Sequence, residues 1–321
     1  MNRTILVTLR NLNAAQDALI ESAAREKGYD VIFAADDARA QAAAAEAEII
    51  FGASAPLLKC SPNLKWLCVP SAGADQYLKP ALQDRQGVLL SNSSGAYGVT
   101  IAEHVTMVTL MLMRRQMEYD DVTRARGWRR DLPIRSIRDC RVTLLGTGDI
   151  GKEVAIRLRA FGPKKIVGVN RRGRNPGDMF DEIHTFDALE KVLPETDLLV
   201  MSLPGTPETK NIMGARLLAL MPQDAFLVNV GRGTCLDEAA LMDQLNAGRF
   251  AGVALDVFQT EPLAADHPLR DCPRLLITPH IAGNMTLAYT RQRIVELFIE
   301  DLDNYCAGRP LKRGVALQQG Y

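Results

Sequence analysis

The sequence predicts an α/β protein built from two doubly wound parallel-sheet domains, and three observations support this fold class. The chain has 321 residues, a length that favours two domains over one. Short apolar runs alternate with helical patterns along most of it, as in βαβ units. Three glycines, Gly146, Gly148 and Gly151, stand at G-x-G-x-x-G spacing between an apolar run and a helical pattern, which indicates a dinucleotide-binding turn.

The composition is that of an ordinary globular protein, with 47% hydrophobic and 24% charged residues. Lys+Arg and Asp+Glu both number 38, so the net charge is zero. Because a protein that binds nucleic acid or an anionic membrane usually carries a basic surplus, we predict neither as a partner. The longest apolar-rich stretch, 105–113, is shorter than the roughly 20 residues that span a bilayer, so it is expected to be a buried helix.

The six cysteines are scattered along the chain, without CxxC spacing or a nearby histidine that would suggest a zinc site. They predict no metal site. We expect reduced, mostly buried thiols in a cytoplasmic protein.

Residues 1–99 predict a small α/β domain with a parallel sheet covered on both faces. Helices are expected at 14–27, before Gly28, and at 36–48, where the alanine-rich composition favours a helix over disorder. Strands are expected at 4–9, 31–34, 49–52, 67–70 and 88–91.

Thr100 and Glu103 form a capping-box pattern, which predicts a helix that begins at Thr100 and runs to about Gln116. This helix is apolar nearly all round, so it is expected to be buried on most sides, against its own domain or against a partner subunit. The charged segment 118–138, which contains Trp128, is expected to cover the surface.

From residue 141 onward the chain repeats strand and helix about six times, enough for a full doubly wound sheet. After the helix that follows the glycine turn, further helices are expected at 188–193, 214–221 and 238–247, and a long amphipathic helix is expected at 287–306. Strands are expected at 141–145, 165–169, 198–202, 225–230, 251–255 and 275–278.

The glycine turn assigns a role to each of its residues. Gly146 allows a sharp turn, Gly148 lets the backbone approach a pyrophosphate, and Gly151 lets the helix pack close to the strand. Asp149 and Ile150 open that helix, whose free N–H groups and positive dipole end favour the phosphates.

Charged residues follow three consecutive strands, at the sheet edge where ligands of open α/β proteins bind. Arg232 can hold a carboxylate and its neighbouring carbonyl, and His280 can exchange a proton near neutral pH. Glu261 can orient this imidazole and stabilise its protonated form. Each residue alone would more often be a solvated loop residue, but together, with a nicotinamide as hydride carrier, they indicate interconversion of 2-oxo and 2-hydroxy acids.

The chain resembles the D-2-hydroxyacid dehydrogenase family over nearly its whole length, and within it the glyoxylate/hydroxypyruvate reductase type. The matching motifs are GTGDIG at 146–151, VNVGRG at 228–233, ALDVFQTEP at 254–262 and TPHIAG at 278–283. The resemblance implies that Arg232, Glu261 and His280 are catalytic and that Asp256 lies near the nicotinamide amide. It also implies a cofactor cleft lined by Ser202, Leu203, Pro204, Val230 and Gly231.

The resemblance further implies two roles for the domains. Residues 1–99 with 286–321 would be a smaller, flavodoxin-like substrate domain, and 100–285 a Rossmann dinucleotide-binding domain. The loop after strand 67–70 would offer the N–H groups of Ala72 and Gly73 to the substrate carboxylate, which Arg232 would also bind. Hinges would lie near Val99 and Asn284, and closure would exclude water before hydride transfer. A homodimer through the dinucleotide-binding domain is also implied, and the apolar helix and Trp128 suit such an interface.

The residue after strand 165–169 bears on the choice of cofactor. An NAD site places an acid there, on the ribose 2′-hydroxyl, but this chain has Asn170. Arg171, Arg172 and Arg174 follow, and guanidinium groups would bind a 2′-phosphate that a carboxylate would repel. We therefore favour NADP(H) over NAD(H), although a solvated basic loop would show the same pattern.

Two other functions remain open at this point. One is a dinucleotide-sensing regulator or corepressor of the same fold, which could keep all three charged residues. The other is a formate- or phosphite-type dehydrogenase, which Asn92 and the segment 102–104 resemble slightly. The substrate side chain is not readable, since it would depend on 51–56, Tyr97 and the loop after His280.

Overall fold

The computed structural model describes residues 3–34, 36–52, 56–74, 77, 82, 85 and 87–316. The chain divides into two units, one made of Met1–Tyr97 with Met285–Tyr321 and the other of Gly98–Asn284. Each unit is built on a parallel sheet, of five and seven strands respectively, so the predicted fold class is confirmed.

The first unit has the strand order β2-β1-β3-β4-β5, a flavodoxin-like order. The predicted helix 36–48 is too long, because Ala47 and Glu48 belong to a buried strand whose pairing overrides the helix propensity of alanine. Its elements are β1 (Arg3–Val7), α1 (Ala14–Glu26), β2 (Tyr29–Phe33), α2 (Asp37–Ala44), β3 (Ala47–Phe51), α3 (Leu57–Cys60), β4 (Trp66–Cys68) and β5 (Leu89–Ser91).

The second unit has the strand order β12-β11-β10-β9-β6-β7-β8, with every neighbouring pair parallel. The order reverses between β6 and β9, which is where ligands bind in such sheets. β8 was not predicted, because its three half-buried residues at the sheet edge are too few to show a pattern. The strands are β6 (Arg141–Leu145), β7 (Lys165–Val169), β8 (Glu182–His184), β9 (Leu198–Met201), β10 (Phe226–Asn229), β11 (Gly252–Leu255) and β12 (Leu275–Ile277).

The helices of this unit are α4 (Gly98–Met113), α5 (Gln116–Arg124), α6 (Asp149–Arg159), α7 (Leu189–Val192), α8 (Ala215–Leu220) and α9 (Glu238–Asn246). The prediction that Thr100 caps α4 is wrong, since the helix begins at Gly98. A Cβ at this glycine would lie 2.6 Å from Asp149 Oδ2, so the start of α4 packs closely against α6. The helix also ends earlier than predicted, because Arg115 adopts a left-handed conformation with φ of 57°.

The last helix, α10 (Ala288–Cys306), returns to the first unit and packs on its sheet through aromatic rings. The ring of Phe298 stacks on that of Phe51 with centroids 4.0 Å apart and on that of Trp66 at 5.4 Å. The ring of Tyr305 also stacks on that of Trp66, with centroids 5.3 Å apart. Among the described residues, no helix has the length and apolarity needed to cross a membrane.

Candidate active site

The glycine turn has the geometry that a dinucleotide requires. Gly146 follows β6 with φ of 108°, a conformation that residues with a side chain rarely adopt. A Cβ at Gly151 would lie 2.1 Å from the carbonyl oxygen of Gly146, so only glycine lets α6 pack this close to the turn. A Cβ at Gly148 would meet nothing within 4 Å, so open space lies in front of the exposed start of α6, where Asp149 and Ile150 form its first turn. The turn therefore fits a pyrophosphate.

Segments after β9 and β10 lie against this turn. Ser202 Oγ donates to the carbonyl oxygen of Gly146 at 3.2 Å. A Cβ at Gly231 would lie 2.7 Å from the backbone N and O of Leu203, so the two segments touch each other directly. The structure thus brings together the expected cofactor-lining residues, with Leu203 and Val230 buried and Pro204 exposed.

Asn170 follows β7 and connects the glycine turn to the arginine-rich loop. Its Nδ2 donates to Thr147 Oγ1 at 2.8 Å and to the carbonyl oxygen of Arg174 at 3.0 Å. Its Oδ1 accepts from the backbone N–H of Arg172 at 2.9 Å. Arg171, Arg172 and Arg174 are all exposed. Asn170 therefore fixes the backbone of a loop that carries three exposed arginines, and it ties this loop to the glycine turn.

Arg232 follows β10 in a turn that packs on the segment after β11. A Cβ at Gly233 would lie 1.9 Å from the backbone C of Phe258, so glycine is needed for this approach. The guanidinium of Arg232 donates through Nη1 to the carbonyl oxygen of Gly231 at 2.9 Å, and the residue is half-buried. The arginine turn and the loop that carries Glu261 are thereby held side by side.

Glu261 and His280 form a close pair, with Oε2 and Nδ1 2.6 Å apart. The other carboxylate oxygen, Oε1, accepts from the backbone N–H of Phe258 at 2.9 Å. The side chains of His280 and Glu261 are 50% and 33% exposed. With Nδ1 engaged by the carboxylate, Nε2 is the ring nitrogen available to exchange a proton with a reactant.

Asp256 is buried, and its side chain binds the protein's own backbone. Its Oδ1 accepts from the N–H of Ile281 at 2.9 Å, and its Oδ2 accepts from the N–H of Ala282 at 3.0 Å. The hydroxyl of Thr278 donates to Oδ1 at 2.6 Å. This carboxylate, which was expected near the nicotinamide, thus fixes the backbone on the C-terminal side of His280.

His104, on α4, joins this group, although the sequence linked it only to a slight resemblance of the segment 102–104 and not to the charged residues after the strands. Its Nε2 lies 3.3 Å from Thr278 Oγ1 and 4.0 Å from Asp256 Oδ1. Burial lowers the pKa of His104 below its ordinary 6.5, although the charge of Asp256 acts in the opposite direction. Only the presence of a histidine in a buried helix could have suggested a polar partner for it.

The loop after β4 in the first unit is ordered by polar side chains. Asn92 Nδ2 donates to the carbonyl oxygen of Ala72 at 2.8 Å, and Ser71 Oγ donates to that of Gly73 at 2.5 Å. Tyr97 donates from its hydroxyl to the carbonyl oxygen of Pro70 at 2.6 Å. Residues 53–55, within the expected substrate side-chain region, lie outside the described residues.

All six cysteines are free thiols, and three of them, Cys68, Cys140 and Cys235, are buried. Burial raises the pKa of the Cys68 thiol to about 12 and that of the Cys140 thiol to about 11. In the part of the chain that the structure describes, no cluster of three or more His, Cys, Asp or Glu could hold a metal ion.

Comparisons with known proteins identify relatives that cover most of the chain. Residues 106–282 match a family described as D-isomer specific 2-hydroxyacid dehydrogenase, NAD binding domain. A glycerate dehydrogenase of Methylorubrum extorquens is 31% identical over 80% of this chain and 80% of its own length. A glyoxylate reductase of Aeropyrum pernix is 32% identical over 79% of this chain and 76% of its own. The crystal structure of an NADPH-dependent glyoxylate/hydroxypyruvate reductase from Sinorhizobium meliloti, in complex with NADP and sulfate, matches with a TM-score of 0.81 and 28% identity, covering 99% of this chain and 100% of that one.

Proposed function

The chain belongs to the D-isomer specific 2-hydroxyacid dehydrogenase family, and from this premise we propose that it reduces a small 2-oxo acid to the D-2-hydroxy acid with NADPH. The observation that carries the proposal is the contact between His280 Nδ1 and Glu261 Oε2, held beside the arginine turn at the carboxyl edge of the same sheet as the glycine turn. When bound, the reduced nicotinamide supplies the hydride.

The residues of this chain supply binding and the proton. As the 2-oxo group is reduced, Nε2 of the protonated His280 would donate a proton to its carbonyl oxygen. Glu261 balances the charge of this imidazolium before transfer and keeps Nδ1 protonated throughout. Arg232 binds the substrate carboxylate and polarises its 2-oxo group, because a guanidinium offers two parallel N–H donors.

We further propose that Ala72 and Gly73 bind the substrate carboxylate through their backbone N–H groups. Support comes from the position of their loop at the carboxyl end of β4 and from the side chains that hold it. The N–H of Ser93 and Asn92 Nδ2 donate to the carbonyl oxygens of Ser71 and Ala72, and so fix the peptide planes that carry the N–H groups of Ala72 and Gly73. These two N–H groups therefore need no rearrangement to bind an anion. A proline at position 73 would remove one of the two donors and should raise the KM for the 2-oxo acid.

The choice of NADPH is supported by Asn170, which stands where a carboxylate would repel a 2′-phosphate, and by the exposed guanidinium groups beside it. The S. meliloti relative was solved with NADP. We expect kcat/KM on glyoxylate to be higher with NADPH than with NADH. Arg172→Gln should lower kcat/KM with NADPH about tenfold or more, since one charged hydrogen bond contributes about 1.5–3 kcal/mol. The same substitution should leave kcat/KM with NADH nearly unchanged. Arg216→Gln, at a surface ion pair with Glu190, is the matched control.

The reaction itself is tested with glyoxylate, hydroxypyruvate and pyruvate in the presence of NADPH. We expect turnover of at least one of them, and a loss of about 100-fold or more in His280→Ala, because general acid catalysis contributes that much. A higher kcat/KM with NADH would contradict the cofactor assignment. Cofactor binding without reduction of any 2-oxo acid would contradict the proposed reaction.

We also propose a homodimer formed through the second unit. Trp128 is 89% exposed, which is unusual for so large an apolar side chain, and Met107 on α4 is 48% exposed. The neighbouring helix α5 has no fully buried residue, so its apolar side chains Met117 and Val122 are only half-covered within its own unit. Light scattering should return a dimer that Trp128→Ser weakens, while Phe161→Ser, at another exposed aromatic side chain, leaves it intact. A monomeric wild-type protein would refute this interface.

A further inference from the structure

The backbone at His280 is held in an uncommon conformation. Its φ is 54°, in the left-handed region that few non-glycine residues occupy. Its N–H donates to the carbonyl oxygens of Asp256 at 2.9 Å and Thr278 at 3.0 Å. The next two N–H groups, of Ile281 and Ala282, both donate to the Asp256 carboxylate. The direction in which the imidazole leaves the chain therefore depends on where this carboxylate lies.

The carboxylate is oriented in turn by Thr278. A hydroxyl has one proton to donate, and at 2.6 Å that proton is given to Asp256 Oδ1. Thr278 Oγ1 can then only accept from His104 Nε2, 3.3 Å away. This order of donors requires the His104 tautomer that carries its proton on Nε2. The result is a directed chain of hydrogen bonds from α4 through Thr278 to Asp256.

We propose that His104 is a positioning residue for His280, which acts by orienting Thr278 and Asp256 so that the backbone of 280–282 holds the imidazole in its reactive place. This inference rests on the proposed function, because it assigns His104 to the same proton transfer. Within the described part of the chain, the polar partners of His104 are Thr278 and Asp256, so its effect on the imidazole is carried by these two residues.

These hydrogen bonds also lie close in sequence to both points where the polypeptide passes between the two units. Gly98 and Asn284 are the first and last residues of the second unit, so the polypeptide passes from one unit to the other next to each of them. α4 begins at the first crossing and carries His104, and Ala282 lies two residues before the second. His104 therefore joins the segments that enter and leave the second unit, in addition to supporting the reactive histidine.

The test uses the full-length enzyme with His104→Leu, His104→Gln, Thr278→Val and Thr278→Ser. Glutamine places an amide N–H close to the position of Nε2, and serine keeps the hydroxyl, so each conservative variant preserves one link. Glu103→Gln, at an exposed position of the same helix, is the control. Amide hydrogen exchange of the peptide 278–284 is followed by mass spectrometry, together with kcat and the KM for NADPH.

We expect His104→Leu and Thr278→Val to speed exchange at residues 281–282 and to lower kcat about five- to tenfold, with the cofactor KM changed by less than about threefold. The Gln and Ser variants should recover most of both losses. Unchanged exchange in His104→Leu would overturn the proposal, as would equal losses in His104→Leu and His104→Gln. Amide hydrogen exchange can be measured without turnover, so it tests the role of His104 even if the wild-type protein reduces no 2-oxo acid. Failure to reduce any 2-oxo acid would count against the proposed function alone.

Discussion

Replacement of Glu261 by glutamine tests the centre of the site, because the structure shows that an amide cannot do what the carboxylate does. Both carboxylate oxygens accept: Oε2 faces His280 Nδ1 at 2.6 Å, and Oε1 takes the backbone N–H of Phe258 at 2.9 Å. Glutamine offers one acceptor and one donor. If its oxygen faces His280, its NH₂ opposes the N–H of Phe258. If the glutamine amide is rotated by half a turn, its NH₂ opposes the Nδ1–H of the imidazolium.

The magnitude follows from these two contacts. A hydrogen bond to a charged group contributes about 1.5–3 kcal/mol and a neutral one about 0.5–1.5 kcal/mol. Replacing the first by the second in Glu261→Gln should therefore raise the barrier for proton transfer by about 1–2 kcal/mol. That corresponds to a loss of about five- to 30-fold in kcat. The side chain of His280 is 50% exposed, and water screens the imidazolium, which favours the lower part of this range. The loss should be smaller than that of His280→Ala, since the general acid remains present.

The assay is steady-state reduction of glyoxylate, followed by the loss of absorbance of the reduced nicotinamide. Glu261→Gln should lower kcat while the KM for NADPH stays close to the wild-type value, because the glycine turn is untouched. Glu190→Gln makes the same chemical change at a surface ion pair and should have no effect. A kcat within about twofold of wild type would show that the carboxylate does not assist proton transfer, and the role assigned to the pair would then be wrong.

Two further predictions concern stability and cofactor binding. Burial of the Glu48 carboxylate opposes its ionisation, but hydrogen bonds from Arg3, Tyr29 and Tyr305 outweigh burial and hold its pKa at about 2, below the ordinary 4.5. Because the folded pKa is depressed, the stabilisation is present above pH 4.5 and is lost as the pH falls towards 2; Glu48→Gln should therefore lower the free energy of unfolding at pH 7 by about 3 kcal/mol in urea titrations, and a difference that stays constant down to the lowest pH would contradict this. Gly151→Ala should abolish cofactor binding or folding, because its Cβ would lie 2.1 Å from the carbonyl oxygen of Gly146, and wild-type affinity for NADPH by fluorescence titration would refute the assigned geometry.

The features that were predictable from sequence are those that depend on local backbone requirements. The glycine turn was one, since each glycine answers a steric demand of its own turn, and the structure shows the close approaches at Gly146 and Gly151. The strands were another, because buried parallel strands appear as short apolar runs wherever they occur. Residues that follow such strands lie at one sheet edge, so Arg232 could be expected near the other charged groups without any knowledge of their contacts.

The features that were not predictable depend on tertiary contacts that local patterns do not encode. Thr100 has the sequence pattern of an N-cap, yet α4 begins two residues earlier, at Gly98, which packs against Asp149. The same holds within the site. A residue that reacts must have a particular chemistry, so its type can be recognised, whereas a residue that positions another needs only a donor at the right point in space. His104 meets that need through Thr278, from a helix distant in sequence, and only the folded arrangement distinguishes it from a histidine that merely fills the interior.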